Sequence, residues 1–186
     1  ASLVWRCDYD NHWNRKHRFE RRWKLIHTDE NTIKLGDPSL NIIPATGDSI
    51  EMIVFKKSNG RTKKEAQDRC NTIAYEVTQQ GNEFIFPAAF SIGENQAWKF
   101  QEVDVELRMP IGTVIFLDAT CKDLLYDVTN VSETYDEEMV DRRWIMTAKG
   151  LQCIDCAGLG LQTNPVKPAA LKDSIPIAGD TIAITK

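Results

Sequence analysis

Val103-Asp104-Val105-Glu106-Leu107-Arg108-Met109 alternates apolar and charged side chains without a fault. Successive side chains of a strand point to opposite faces. The register therefore buries Val103, Val105, Leu107 and Met109 and turns Asp104, Glu106 and Arg108 toward water. Pro110-Ile111-Gly112 then turns the chain, and Thr113 to Leu117 follows as a nearly continuous apolar run. Glu51 to Lys57 reads as a further strand centred on Met52, Ile53, Val54 and Phe55. Phe84-Ile85-Phe86 is another, preceded by the turn dipeptide Gly81-Asn82, and Trp144-Ile145-Met146 another, closed by Lys149-Gly150. Short strands every ten to fifteen residues, separated by Gly, Pro and Asn, predict an all-β sandwich, barrel or solenoid.

One helix interrupts this pattern. Thr62-Lys63-Lys64-Glu65 is a capping box, and Ala66, Cys70 and Ile73 repeat at helical spacing behind it. The spacing predicts a helix over 62–73 that runs into a strand at Tyr75–Thr78, and a single turn at Asp123-Leu124-Leu125-Tyr126. The chain divides into a basic N-terminal arm at 1–36, a β domain at 37–156 and a Pro/Gly-containing tail at 157–186. The tail holds three Pro and no aromatic residue. Within it, Ile175-Pro176-Ile177 and Thr181-Ile182-Ala183-Ile184 have the character of edge strands, where Pro is tolerated.

The 186 residues suit one domain, or a domain plus an arm, and a hydrophobic fraction of 42% is enough for a core. A charged fraction of 27% with formal net charge −4 excludes a disordered chain, a collagen-like chain and a globally basic nucleic-acid binder. No stretch approaches 18 consecutive apolar residues, and no signal-peptide pattern opens the chain. The start at Ala1 leads to the expectation of a processed piece whose targeting segment has been removed. Charge is polarised along the sequence. Residues 1–27 carry seven Lys/Arg against three Asp/Glu, whereas residues 102–141 carry two against eleven.

Candidate chemistry is sparse. Cys153-Ile154-Asp155-Cys156 is a C-x-x-C, but Ala157-Gly158-Leu159-Gly160 is a poor helix start, and a redox cysteine needs a helix N-terminus to lower its pKa. A local disulfide or structural pair is the favoured reading. Five cysteines allow at most two bridges and leave one free thiol. Cys7, His12 and His17 are regularly spaced, yet no fourth ligand is placed, so no metal or other cofactor is expected. Glu133 to Glu138 lacks the calcium-loop pattern, and neither a nucleophile motif nor a phosphate loop occurs. The candidate interaction surface is Arg15, Lys16, Arg18, Arg21, Arg22 and Lys24, interleaved with Trp13, Phe19 and Trp23. Nucleic acid, anionic lipid, the acidic half of the same or a neighbouring chain, and, most blandly, a solvated strand pair with its Trp side chains packed inward are the readings open to it. The arm is expected to pack Trp13, Phe19 and Trp23 on the protein and to meet the acidic half of this chain or of a neighbour rather than lipid.

Three strings carry a resemblance. They are Lys56-Lys57-Ser58-Asn59-Gly60-Arg61-Thr62-Lys63-Lys64-Glu65-Ala66 with Ile73-Ala74-Tyr75; Gln101-Glu102-Val103 through Pro110-Ile111-Gly112-Thr113; and Trp144-Ile145-Met146-Thr147 with Gly150-Leu151-Gln152-Cys153-Ile154-Asp155-Cys156. In this order, over about residues 38–156, the chain resembles the C-terminal toast-rack domain of Bacteroidetes membrane proteins that carry a phage-shock-protein-C (PspC) domain, related to adhesin head domains. The resemblance implies a right-handed single-stranded β-solenoid, with a β-sandwich as the alternative. It also implies a non-catalytic, extracytoplasmic envelope domain that senses stress or binds a protein partner, tethered through the removed membrane segment. An adhesin-like surface head is the alternative function and homo-oligomerisation is compatible with both; no nucleic acid is expected. Asp48-Ser49-Ile50, Asp173-Ser174-Ile175 and Asp180-Thr181-Ile182 resemble the short O-glycosylation signal of exported proteins of that phylum.

Overall fold

The computed structural model describes residues 2–7, 25–29, 32–93, 99–156 and 181–186, with side chains from Ile33 onward. Among these residues the chain is mostly β, with one α-helix. The strands are β1 (Ser2–Cys7), β2 (Leu25–Asp29), β3 (Thr32–Gly36), β4 (Ser39–Pro44), β5 (Glu51–Lys57), β6 (Thr78–Gln80), β7 (Glu83–Ile85), β8 (Ala89–Gly93), β9 (Glu102–Met109), β10 (Val114–Leu117), β11 (Arg142–Thr147), β12 (Gly150–Cys153) and β13 (Ile182–Thr185). The helix α1 spans Lys63–Asn71.

Three sheets form. One has the order β1-β5-β9-β4, one β12-β11-β10-β13-β7-β6, and one β2-β3-β8. Strand β9 runs antiparallel to β5 on one side and parallel to β4 on the other. Its alternation is expressed as read: Val103, Val105, Leu107 and Met109 are buried, while Asp104, Glu106 and Arg108 lie half-exposed on the opposite face. A single apolar cluster joins the sheets, drawing Leu40 and Ile42 from β4, Phe90 and Ile92 from β8, Ile115 and Leu117 from β10, Trp144 and Met146 from β11, and Ile184 from β13.

This pairing differs from the expected solenoid. Successive coils of a single-stranded solenoid stack in parallel, whereas here β10–β11, β11–β12, β5–β9 and β6–β7 are antiparallel. Two of these are tight hairpins: β6–β7 turns through Gly81-Asn82, and β11–β12 through Ala148-Lys149. A two-residue loop returns the chain beside itself and forbids the uniform parallel rise.

The helix forms where its cap predicts. Thr62 Oγ1 accepts from the Glu65 amide at 3.2 Å. The Glu65 carboxylate reaches back to the Arg61 amide at 2.7 Å, one residue earlier than in a strict capping box, and also pairs with Arg69 at 2.6 Å. Ala66 and Cys70 face inward. The following strand starts at Thr78 rather than Tyr75, and the single turn falls at Ala119–Asp123, a 3-10 segment ahead of the position expected from sequence.

Strand β13 lies in the segment whose composition reads as tail. Ile182–Thr185 is not an edge strand: it sits between β10 and β7, parallel to both, with Ile184 fully buried. Ile175-Pro176-Ile177 lies outside the described residues.

Gly150 opens β12 with φ at +104°, a region costly for any L side chain. A Cβ there would also run into the Thr129 carbonyl, which accepts from Leu151 at 3.0 Å. Gly150→Ala is therefore expected to cost about 2–4 kcal/mol in urea denaturation. Gly47→Ala, where a Cβ meets nothing within 4 Å, should change stability by less than about 0.5 kcal/mol. Equal effects at the two sites would contradict this account of the β11–β12 hairpin.

Candidate interaction surfaces

The segment after β10 carries eight Asp/Glu and one Lys between Asp118 and Asp141. Side chains bonded to nearby backbone give it a fixed shape. Asp118 caps the 3-10 turn by accepting from the Thr120 amide at 2.9 Å and its hydroxyl at 2.6 Å, and the Thr120 hydroxyl bond, then the backbone bonds, hold the Asp118 carboxyl below its ordinary pKa. Asp136 accepts from the amides of Asp127 and Val128 at 2.7 and 3.0 Å. Asn130 accepts from the Thr134 amide and donates to the Thr134 carbonyl, both at 2.8 Å. The loop is anchored where the buried Trp144 indole donates to the Met139 carbonyl at 2.8 Å. Asp127, Glu133 and Asp141 have φ of 53–56°, a left-handed conformation that Asp tolerates better than most residues.

Because these bonds are made locally, the remaining carboxylates face solvent. Glu133, Glu137, Glu138 and Asp141 are exposed, and Lys122 meets Glu137 at 3.4 Å. Tyr135 stands among them, 79% exposed. An exposed aromatic ring flanked along the chain by exposed acids suits a basic protein segment, since Tyr supplies contact area at small entropy cost and the acids supply complementary charge.

The outer face of β9 is a second polar surface. Asp104 accepts from Ser39 at 2.5 Å and from Lys57 at 2.7 Å, and Arg108 pairs with Glu106 at 2.7 Å. The ties from Asp104 to Ser39 and Lys57, with Arg108 to Glu51 of β5 at 3.8 Å, cross between strands and pin the register of β4, β5 and β9. Lys56 turns the other way and donates to the Ile73 carbonyl at 2.8 Å; burial lowers its pKa, and the nearby Glu76 charge opposes that shift.

Cys153 and Cys156 are bridged to each other. Asp155 braces the loop by accepting from the Arg143 amide at 2.8 Å and its guanidinium at 3.2 Å. Cys153 ends a strand and is followed by a bend, so no helix begins at its sulfur to stabilise a thiolate. Cys70 is disulfide-bonded as well. Cys121 is the free, buried cysteine; its thiol donates to the Ile184 carbonyl at 3.1 Å. Burial first, then the Asp118 charge, pushes its pKa up to about 12. Among the described residues no group of three His, Cys, Asp or Glu gathers as a metal site.

Arg15, Lys16, Arg18, Arg21, Arg22 and Lys24 lie outside the described residues, as do Trp13, Phe19, Trp23, His12, His17 and Asp173-Ser174-Ile175. Ser49 of the first glycosylation-like string is exposed in the β4–β5 loop. The acidic loop was visible in sequence as charge alone. Asp136 and Asn130 carry no signature that separates a loop-building side chain from a solvated one.

A family model described as ToastRack found in some PspC matches residues 27–159. The chain belongs to this toast-rack family. The match runs from β2 past the Cys153–Cys156 bridge and covers the acidic loop, while β13 lies beyond it. No curated protein and no solved structure matches the chain.

Two outcomes follow for this toast-rack domain. Asn130→Ala orphans the Thr134 amide and carbonyl, and should cost about 1–3 kcal/mol in chemical denaturation; a loss under about 0.5 kcal/mol would mean that the loop holds itself without that side chain. Cys121 keeps its proton in the folded chain above the pH at which an unfolded thiol ionises. Stability should then decline as pH rises from about 9 toward about 12, in the same direction as the raised pKa of buried Tyr75. Native Cys121 should resist a thiol reagent at pH 9 and react once denaturant is added. Prompt labelling of the folded chain would contradict the burial.

Proposed function

We propose that this toast-rack domain is the extracytoplasmic part of a PspC-associated membrane protein, and that it works without catalysis as a surface that binds a protein partner in envelope sensing. The observation that carries the reading is the cystine at Cys153–Cys156, together with the disulfide at Cys70. Disulfides persist in oxidising compartments and are rare in a reducing cytosol. Family membership ties the domain to membrane proteins. No helix among the described residues is long and apolar enough to cross a bilayer, so the proposed tether lies outside them. The acidic loop around Tyr135 supports the binding role, because its own bonds hold the backbone and leave the outer carboxylates for a partner.

Thiol trapping in intact cells that express the natural protein tests the compartment. Cys153 and Cys156 should escape a maleimide until reductant is added, and external protease should reach the domain once any outer barrier is opened. Free thiols at both positions, with protection from the protease, would place the domain in the cytoplasm and refute the reading. A photo-crosslinker at position 135 tests the binding role in the same cells: adducts should form and be lost when Glu133, Glu137 and Glu138 become Gln. The absence of any adduct would remove the partner from the proposal.

A further inference from the structure

The six-stranded sheet depends on a strand that arrives from far along the chain. Strand β13 fills a slot between β10 and β7, and 25 residues of sequence separate it from Cys156. The slot reads main chain on both sides. Asp118 and Phe86 donate to the Ile184 and Thr185 carbonyls at 3.0 and 2.9 Å, and Ala183 donates to the Asn82 carbonyl at 3.0 Å. Ile184 plugs the core, and Lys186 reaches Asp123 at 3.7 Å. None of these contacts is covalent, and β13 is joined to the strands before it only through the long segment after Cys156. An empty slot would split the sheet into β12-β11-β10 and β7-β6, each with an unpaired edge, a template for another strand.

We propose that β13 is an exchangeable strand, and that two copies of the chain dimerise by each placing Ile182–Thr185 in the β10–β7 slot of the other. The second copy is the occupant the slot fits, because it brings the same Ile184 plug, the same parallel register and the same Lys186 charge. Twenty-five residues span at most about 80–90 Å when extended, which reaches a slot on a neighbouring molecule. The exchange makes in trans the bonds now made in cis, so each closed slot loses nothing, and swapping an identical element is a low-cost route to a symmetric dimer. The proposal names a partner that is separate from the side of the membrane the domain occupies, and its failure would leave that reading untouched.

Glu83 and Ala183 are neighbours across the β7–β13 pair. One full chain carrying Glu83→Cys is mixed with another carrying Ala183→Cys, held at high concentration and treated with a short thiol-specific crosslinker such as dibromobimane. A covalent dimer linked between positions 83 and 183 is expected, its yield rising with chain concentration. The double variant Glu83→Cys/Ala183→Cys should crosslink within itself when dilute. Dimers linked only 83–83 or 183–183, or no dimer, would overturn the proposal. Sedimentation of the unsubstituted chain provides a second reading: dimers should grow in with concentration, and a monomer throughout the range up to millimolar overturns it independently of any variant.

Discussion

Val103, Val105, Leu107 and Met109 enter the core from a strand with partners on both edges, and the sheets assemble around that row. Full burial of such a side chain is worth about 1.5–3 kcal/mol, so the row supplies roughly 6–12 kcal/mol before the entropy of ordering it is set against the gain. That is comparable to the entire net stability of an ordinary domain. The opposite face of β9 cannot drive folding, but it selects the arrangement. Asp104 must meet Ser39 of β4 and Lys57 of β5, and Arg108 must meet Glu51 of β5, which fixes β4 and β5 in one register. A slip of one residue would turn every one of these charges into the core.

The surface proposed to bind a partner is built on the opposite principle. Around Asn130 and Asp136, polar side chains hold a loop in shape by bonding its backbone, and Glu133, Glu137 and Glu138 stand exposed on its outside. Strong negative charge on an ordered scaffold gives a partner something to recognise and steers its approach. The same sequence carries its excess of Lys and Arg in the first 27 residues.

Much of this was legible before any coordinates. Strand β5 and the row on β9 follow from local pattern, as does the helix behind Thr62, because alternation and capping act between residues only a few positions apart. The bridge between Cys153 and Cys156 was an open alternative in sequence: spacing allows a pair, but it is closure of the bend after β12, braced by Asp155 on Arg143, that places the two sulfurs together. The solenoid implied by resemblance gave way to mixed sheets because hairpin turns at Gly81-Asn82 and Ala148-Lys149 reverse the chain. Edge strands such as β4 show little alternation and were not read at all.

The amino-acid sequence by itself determined that β5, β7, β9, β10 and β11 extend, which segment coils, which face of β9 is buried and where charge concentrates, since each depends on side chains that are near neighbours along the chain. Only the tertiary structure decided which strands are partners. Ile182–Thr185 reads as a weak edge strand in a Pro-containing tail, yet it lies at the centre of the largest sheet because β10 and β7 each present an unpaired row of backbone groups and the core between them needs Ile184 to fill it. That demand is created by residues some 65 to 100 positions earlier in the chain, and no local pattern can record it.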